Sequence, residues 1–144
     1  MKYTLRRIRL SYIVWLRYAR FYNRNVKCTN QHLSKWGMKT GQFDVLSHIK
    51  PNERITQCDL ASRLVVTESN VTQILKKLED NGLIRREREW KNKFISLTEE
   101  GIKLRNEVVS EQEHFQADQF SMLNDQELNQ LIAILKKIEK GGRG

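Results

Sequence analysis

A chain of 144 residues with 26 Lys/Arg against 17 Asp/Glu has a net charge of +9, which favours polyanionic partners, and is long enough for one domain with a sizeable core or one protomer of an intertwined dimer. No apolar run is long enough to span a bilayer and no secretory signal pattern is present, so a soluble cytoplasmic protein is expected, without a membrane partner. Cys28 and Cys58 are too few for a disulfide framework, and the absence of a phosphate-cradling glycine loop, a nucleophile elbow or a metal-ligand cluster argues against an enzyme, a cofactor or a metal site.

The positive charge is unevenly spread. Residues 1–27 carry eight Lys/Arg and no acid, whereas residues 56–100 carry eight of each sign. Leu5, Ile8, Tyr12, Trp15, Ala19, Tyr22 and Val26 recur at three or four residues, with Arg6, Arg9, Arg17, Arg20 and Arg24 between them. This predicts an amphipathic helix over 4–27. An acid-poor, Arg-rich helix also suits a transit peptide or a membrane-surface segment, but the long aromatic stripe favours packing within the protein. Cys28 to Lys39 reads as a connector with room for helical turns. Thr40 is expected to cap a second helix through Phe43, Val45, Leu46 and Ile49, stopped by Pro51 because residues before proline avoid the helical region.

Thr56 to Leu83 reads as two short helices joined by a tight corner. Thr56 and Asp59 carry the first cap, and Leu60, Ala61 and Leu64 form the apolar face. Thr67 offers a second cap, with Glu68 in the positive first turn. Val71, Ile74, Leu75 and Leu78 repeat at helical spacing, so one side is buried and the other presents Ser69, Asn70, Thr72, Gln73, Lys76 and Lys77. Asn81-Gly82 ends this helix, with Leu83 as the apolar residue that packs back. The pattern is a helix-turn-helix. Leu83 to Glu89 and Phe94 to Leu97 then alternate as two strands around a tip at Trp90 to Lys93, where Asn92 tolerates the left-handed backbone that a tip needs. A hairpin directly after a recognition helix is a wing. Its residues 85–93 hold five Lys/Arg against two Glu, suited to phosphate or minor-groove contact.

Beyond the wing, Thr98 is expected to cap a long helix over about 99–120, marked by Ile102, Val108, Val109, Phe115 and Phe120. Asn124 and Glu127 form a capping box for a last helix. Its stripe of Leu128, Leu131, Ile132, Leu135 and Ile138 is broad for a terminal helix on a small protein. Unmet apolar faces at both chain ends imply a twofold dimer, which presents two recognition helices to successive major grooves. The Gly141-Gly142-Arg143-Gly144 tail reads as frayed.

Thr40-Gly41-Gln42-Phe43 before an apolar helix, the helix-turn-helix, the wing, and Leu97-Thr98-Glu99-Glu100-Gly101 resemble the multiple-antibiotic-resistance regulator (MarR) family in order and spacing through nearly the whole chain. The resemblance implies a mainly α fold with a small β-hairpin wing, a winged helix-turn-helix, dimeric through its N- and C-terminal helices. It implies a single domain over 1–144, with dimerisation helices at 4–27 and 101–140 and a DNA-binding region at 40–100. It also implies double-stranded, pseudo-palindromic operator DNA as partner and a response to a small molecule or an oxidant. The chain departs from the family pattern twice. Val65-Val66 stands where a Gly often precedes the apolar corner residue, and Trp90-Lys91-Asn92-Lys93 replaces the usual Asp-x-Arg wing tip.

The candidate DNA contacts are Thr67, Ser69, Asn70, Thr72, Gln73, Lys76, Lys77, Arg86, Arg88, Lys91, Asn92 and Lys93. Asn70 and Gln73 can pair bidentately with adenine, Ser69 and Thr72 can reach a phosphate or base edge, and Lys76 and Lys77 suit phosphate because they lack the planar fork of arginine. The bland alternative is a solvated surface-helix face. Dimerisation is expected through Ile8, Tyr12, Trp15, Leu128, Leu131, Leu135 and Ile138. Trp15, Tyr18, Tyr22, Trp36 and Phe43 form a candidate pocket for a small aromatic effector, although such residues are more often core. Cys28 and Cys58 are candidate oxidant sensors, weighed against plain structural thiols. The leading reading is a sequence-specific DNA-binding regulator, a repressor released by a small-molecule or oxidative signal. The alternative is a winged-helix protein-interaction module, for which an apolar recognition face would be expected in place of Asn70 and Gln73.

Overall fold

The computed structural model describes residues 2–65 and 68–142, with only the backbone of Glu68 and Ser69. Among the described residues the elements run α1 (Leu5–Leu33), a 3₁₀ turn (Ser34–Trp36), α2 (Thr40–His48), β1 (Ile55–Thr56), α3 (Gln57–Arg63), α4 (Glu68–Asp80), β2 (Ile84–Glu89), β3 (Asn92–Leu97), α5 (Glu99–Gln119) and α6 (Asp125–Gly141). The chain forms two compact units, Met1–Gln112 and Glu113–Gly144. No helix among the described residues is long and apolar enough to cross a membrane.

Thr4 caps α1 by accepting from the Arg7 N–H at 3.1 Å. The helix does not stop at residue 27 but continues to Leu33, so the first half of the expected connector is helical. No glycine or proline interrupts the chain before Gly37, and burial of Thr29 and Leu33 supports the extra turns. Gly37, at φ 66, reverses the chain, and the Met38 N–H donates to the Leu33 carbonyl at 3.2 Å. Thr40 is the first residue of α2 and not its cap. Its N–H and its hydroxyl both donate to Asn30 Oδ1, at 2.7 and 2.6 Å, which ties α2 to α1. The expected Asn124–Glu127 capping box of α6 is reciprocal, at 2.8 and 3.1 Å.

The core of the first unit draws on α1 to α5 and all three strands: Leu33, Val45, Leu46, Ile49, Ile55, Leu60, Leu75, Leu78, Ile84, Ile95 and Val108 are almost wholly enclosed. The sheet has three strands in the order β1-β3-β2, all antiparallel. The two-residue β1, absent from the sequence reading, pairs Ile55 with Ile95 and Thr56 with Phe94; so short a segment carries no periodicity to detect. β3 starts at Asn92, two residues before the expected boundary, so Asn92 pairs with Glu89 and the tip shrinks to Trp90-Lys91. The left-handed tip residue is therefore Trp90, at φ 57, and not Asn92.

The end of α4 is locked to the start of α5. Gly82, at φ 75, lets its own N–H reach the Glu79 carbonyl at 2.9 Å while the Leu83 N–H reaches Leu78 at 3.0 Å, closing α4 with a Schellman turn. The Thr98 hydroxyl donates to the Gly82 carbonyl at 2.6 Å and accepts from the Gly101 N–H at 3.0 Å. A Cβ on Gly101 would lie 2.0 Å from the Leu83 carbonyl oxygen, so only glycine permits this approach.

In the second unit, Leu128 and Leu131 of α6 are half-buried, while Ile132, Leu135 and Ile138 remain exposed at 45–55%.

Candidate nucleic-acid interface

The local sequence of α4 sets its orientation. Val71, Leu75 and Leu78 are buried and Ile74 is half-buried, so the opposite face must point outward, and Asn70, Thr72, Gln73, Lys76 and Lys77 are all exposed. Thr67 and the Ser69 side chain, the other expected contacts of this helix, lie outside the described residues.

The described start of the segment between α3 and α4 is Leu64 and Val65. α3 is capped by the Thr56 hydroxyl, which accepts from the Asp59 N–H at 3.1 Å, and it ends at Leu64 in extended backbone (φ −85, ψ 151) open to any L-residue. The next N–H, of Val65, donates to Asp44 Oδ2 at 2.7 Å. Asp44 projects from α2 with its side chain 7% exposed, and its other oxygen lies 3.1 Å from His48 Nδ1. A buried carboxylate of α2 thus anchors the chain where it leaves α3. The chain also ties α3 back through Arg63, whose two terminal nitrogens reach Glu53 at 2.9 and 3.2 Å. That pairing holds the Glu53 carboxyl below its ordinary range.

The wing is fastened to α4 by an ion pair. Arg86 donates from Nε and Nη2 to Glu79 Oε1 at 3.1 and 2.8 Å, which lowers the Glu79 carboxyl pKa. Arg86, expected as a DNA contact, is therefore already engaged within the chain. Arg54 stacks on Phe94, 3.9 Å from the ring centroid, and faces both wing acids, Glu89 at 3.1 Å and Glu87 at 3.8 Å. With these acids occupied, no ion pair among the described residues engages Arg88, Lys91, Lys93, Lys76 or Lys77. The zero formal charge of residues 56–100 conceals this asymmetry, because Glu79 is held by Arg86 while Glu87 and Glu89 share Arg54, which lies outside that stretch. A shallow cavity of about 350 Å³ lined by Glu79, Arg86, Glu87, Arg88 and Lys93 lies on the wing.

Asp44, Arg54, Glu79 and the Glu53–Arg63 pair were missed in the sequence reading. Asp44 does leave a trace, as a lone acid among the apolar residues of α2, next to Phe43 and Val45; the others are ordinary surface charges until the fold brings them together.

The remaining expected sites are more scattered. Tyr12 and Trp15 stack at 5.9 Å on the exposed part of α1, and Ile8, Tyr18 and Tyr22 are exposed there too. Trp36 lies at the far end: Leu33 alone is about 27 Å along the helix from Trp15 at 1.5 Å per residue. Trp36 packs edge-on against His32 at 5.3 Å and donates to Glu107 at 3.4 Å, and Phe43 packs on the core. One chain therefore does not gather the five aromatic residues into one pocket. A separate cavity of about 500 Å³ is lined by Tyr3, Arg7, Ile8, Ser11 and Tyr12. Cys28 is half-buried in α1 and Cys58 is exposed on α3. Among the described residues no group of three His, Cys, Asp or Glu is placed to hold a metal ion.

The MarR family profile matches residues 39–93, from the N-cap of α2 to the wing. An uncharacterized HTH-type transcriptional regulator of Bacillus cereus is 36% identical over 129 residues, covering 89% of this chain and 88% of the relative. The HTH-type transcriptional repressor MdtR of Bacillus subtilis is 29% identical over 75% of this chain and 72% of its own length. The solved complex of S. aureus MepR with DNA superposes with a TM-score of 0.76 at 25% identity, covering 86% of this chain and 94% of MepR.

Proposed function

This chain belongs to the MarR family of winged helix-turn-helix transcriptional regulators, and from that premise we propose that it works as a cytoplasmic homodimeric repressor on a pseudo-palindromic operator. Members of this family are DNA-binding regulators and not enzymes. The observation that carries the reading is the division of α4. Its apolar side is consumed by the core, while Asn70, Thr72, Gln73, Lys76 and Lys77 stand exposed beside a wing whose acids are already paired. Asn70 and Gln73 read adenine edges in the major groove, Thr72, Lys76 and Lys77 hold phosphates, and Arg88, Lys91, Asn92 and Lys93 add wing contacts. Arg86 acts mainly by setting the wing against α4.

A second copy covers the apolar faces of α1, at Ile8, Tyr12 and Trp15, and of α6, at Leu131, Leu135 and Ile138, and so sets two copies of α4 one helical turn apart. Kinship with MdtR supports repression. A small aromatic effector would release the DNA by binding at Trp15, Tyr18 and Tyr22, whose exposure leaves them free to form a pocket with the second copy; Cys28 and Cys58 are the thiols through which an oxidant would act.

The test is a footprinting titration against genomic fragments at several salt concentrations. Two protected half-sites about one helical turn apart, with affinity falling as salt rises, are expected. Weak, uniform binding to every fragment would instead favour the protein-interaction reading. Gln73→Ala or Asn70→Ala should cost roughly 1–3 kcal/mol of discrimination between bound and random DNA while leaving the dimer intact.

A further inference from the structure

Trp90 is the first of the two residues joining β2 to β3 beyond the Glu89–Asn92 pair. Its backbone sits at φ 57 and its residue is 95% exposed. A two-residue hairpin that is left-handed at this position is built most easily by glycine, whereas a bulky aromatic residue is strained there. Its whole indole is left free for a partner to cover. A backbone outlier of this kind, carrying so exposed an aromatic ring, points towards a contact made elsewhere.

Its surroundings indicate what that contact is. Arg88 and Lys93 face each other across the hairpin, and like charges placed directly opposite destabilise a sheet. Lys91 stands beside Trp90 at the tip. Glu87 and Glu89, the two acids of the hairpin, are held by Arg54. The tip is therefore an apolar blade amid cations that no ion pair among the described residues engages. A surface of that make-up fits a polyanion with a narrow cleft between its charged walls, which describes the minor groove of duplex DNA.

We propose that Trp90 is a minor-groove wedge: its indole enters the groove flanking the site read by α4, packs against the sugar walls, and partly unstacks a flexible pyrimidine–purine step, bending the duplex. Lys91, Lys93 and Arg88 clamp the phosphates on either side. The wedge adds preference for deformable flanking sequence without hydrogen bonds to bases. This rests on the DNA-binding reading above.

The experiment uses the full chain, a genomic fragment that the wild type protects, and the variants Trp90→Ala and Trp90→Gly. Three readouts are followed: affinity across salt concentrations, the bend angle by gel mobility of circularly permuted fragments, and separate major- and minor-groove footprints. Trp90→Gly relieves the backbone strain, so its melting temperature should equal or exceed that of the wild type. Both variants should nonetheless lose about tenfold in affinity, the scale of one aromatic contact to a nucleic acid. They should also lose the bend and the minor-groove protection at the flank, while the α4 major-groove footprint and the salt slope persist, because no charge has been removed. Unchanged affinity, bend and flank protection in both variants would overturn the wedge and leave the DNA-binding reading standing. A wild type that protects no fragment overturns both. Loss of binding to phosphatidylserine vesicles on Trp90→Ala, with DNA binding intact, would reassign the blade to an anionic membrane surface and overturn the wedge.

Discussion

α1 and α4 are both amphipathic helices with apolar residues three or four apart, yet they meet different fates. α4 finds its complement inside the chain: Val71, Leu75 and Leu78 are buried against the core and the polar face is left for a ligand. The first twenty or so residues of α1 find none; Leu5, Ile8, Tyr12, Trp15 and Tyr22 are all roughly half exposed or more. Periodicity says that a helix has an apolar side. What covers that side depends on where the rest of the chain can reach, and a helix of 29 residues outruns the core that its last turns join.

The sharpest test of this contrast is to cut one apolar residue from each helix. Leu75→Ala should destabilise the fold by roughly 2–5 kcal/mol in urea at every protein concentration, because it leaves a cavity in an enclosed core. Trp15→Ala should leave the intrinsic stability of the chain almost unchanged and weaken self-association by about 2 kcal/mol, read by sedentation equilibrium as a concentration-dependent shift towards monomer. Equal losses from both substitutions at all concentrations would remove the distinction between the helices.

A smaller effect is expected where Asp44 anchors the chain between α3 and α4. Asp44→Ala should cost about 1–3 kcal/mol in stability, since it strands the Val65 N–H, and should lower DNA affinity further than the stability loss alone explains. An intact affinity in the folded variant would show that the corner holds its angle without the carboxylate.

The smallest effect is at Glu79→Gln. An exposed pair of this kind contributes roughly 0.2–1 kcal/mol. Because Arg86 holds the folded-state pKa of Glu79 below its ordinary value, the contribution is fully present above the unfolded carboxylate pKa and is lost as pH falls through the lowered folded value. Wild type and variant should therefore differ at neutral pH and converge in acid, as measured by thermal melts; a gap that widens on acidification would assign the wrong sign to the pair.

How much of the interface was legible depends on how local each cause was. The buried stripe and exposed face of α4 follow from spacing within 13 residues, and the Schellman turn follows from Asn81-Gly82-Leu83. Thr56 and Asn124 likewise act on N–H groups three residues away. Illegible were the long-range pairings: Asp44 to Val65 across 21 residues, Arg54 to Glu89 across 35, and the withdrawal of Arg86 into its bond with Glu79. Charge counted along the chain treats residues 56–100 as neutral, and only the fold ties Glu79 to Arg86 and both Glu87 and Glu89 to Arg54, while no ion pair among the described residues engages Lys76, Lys77, Arg88, Lys91 or Lys93.

By itself, the sequence determined the caps at Thr56, Thr98 and Asn124 and the Asn81-Gly82 stop, though not the end of α1 or the cap of α2, together with the apolar side of α4 and the cationic hairpin after it, because capping and periodicity act over three to four residues. The tertiary structure alone decided that Asp44 accepts from the Val65 N–H beyond the end of α3, that only glycine fits at position 101 against the Leu83 carbonyl, and that Trp90 takes the left-handed tip in place of Asn92. Those outcomes depend on strand register and helix docking, where atoms distant in sequence compete for the same space and the same hydrogen bonds.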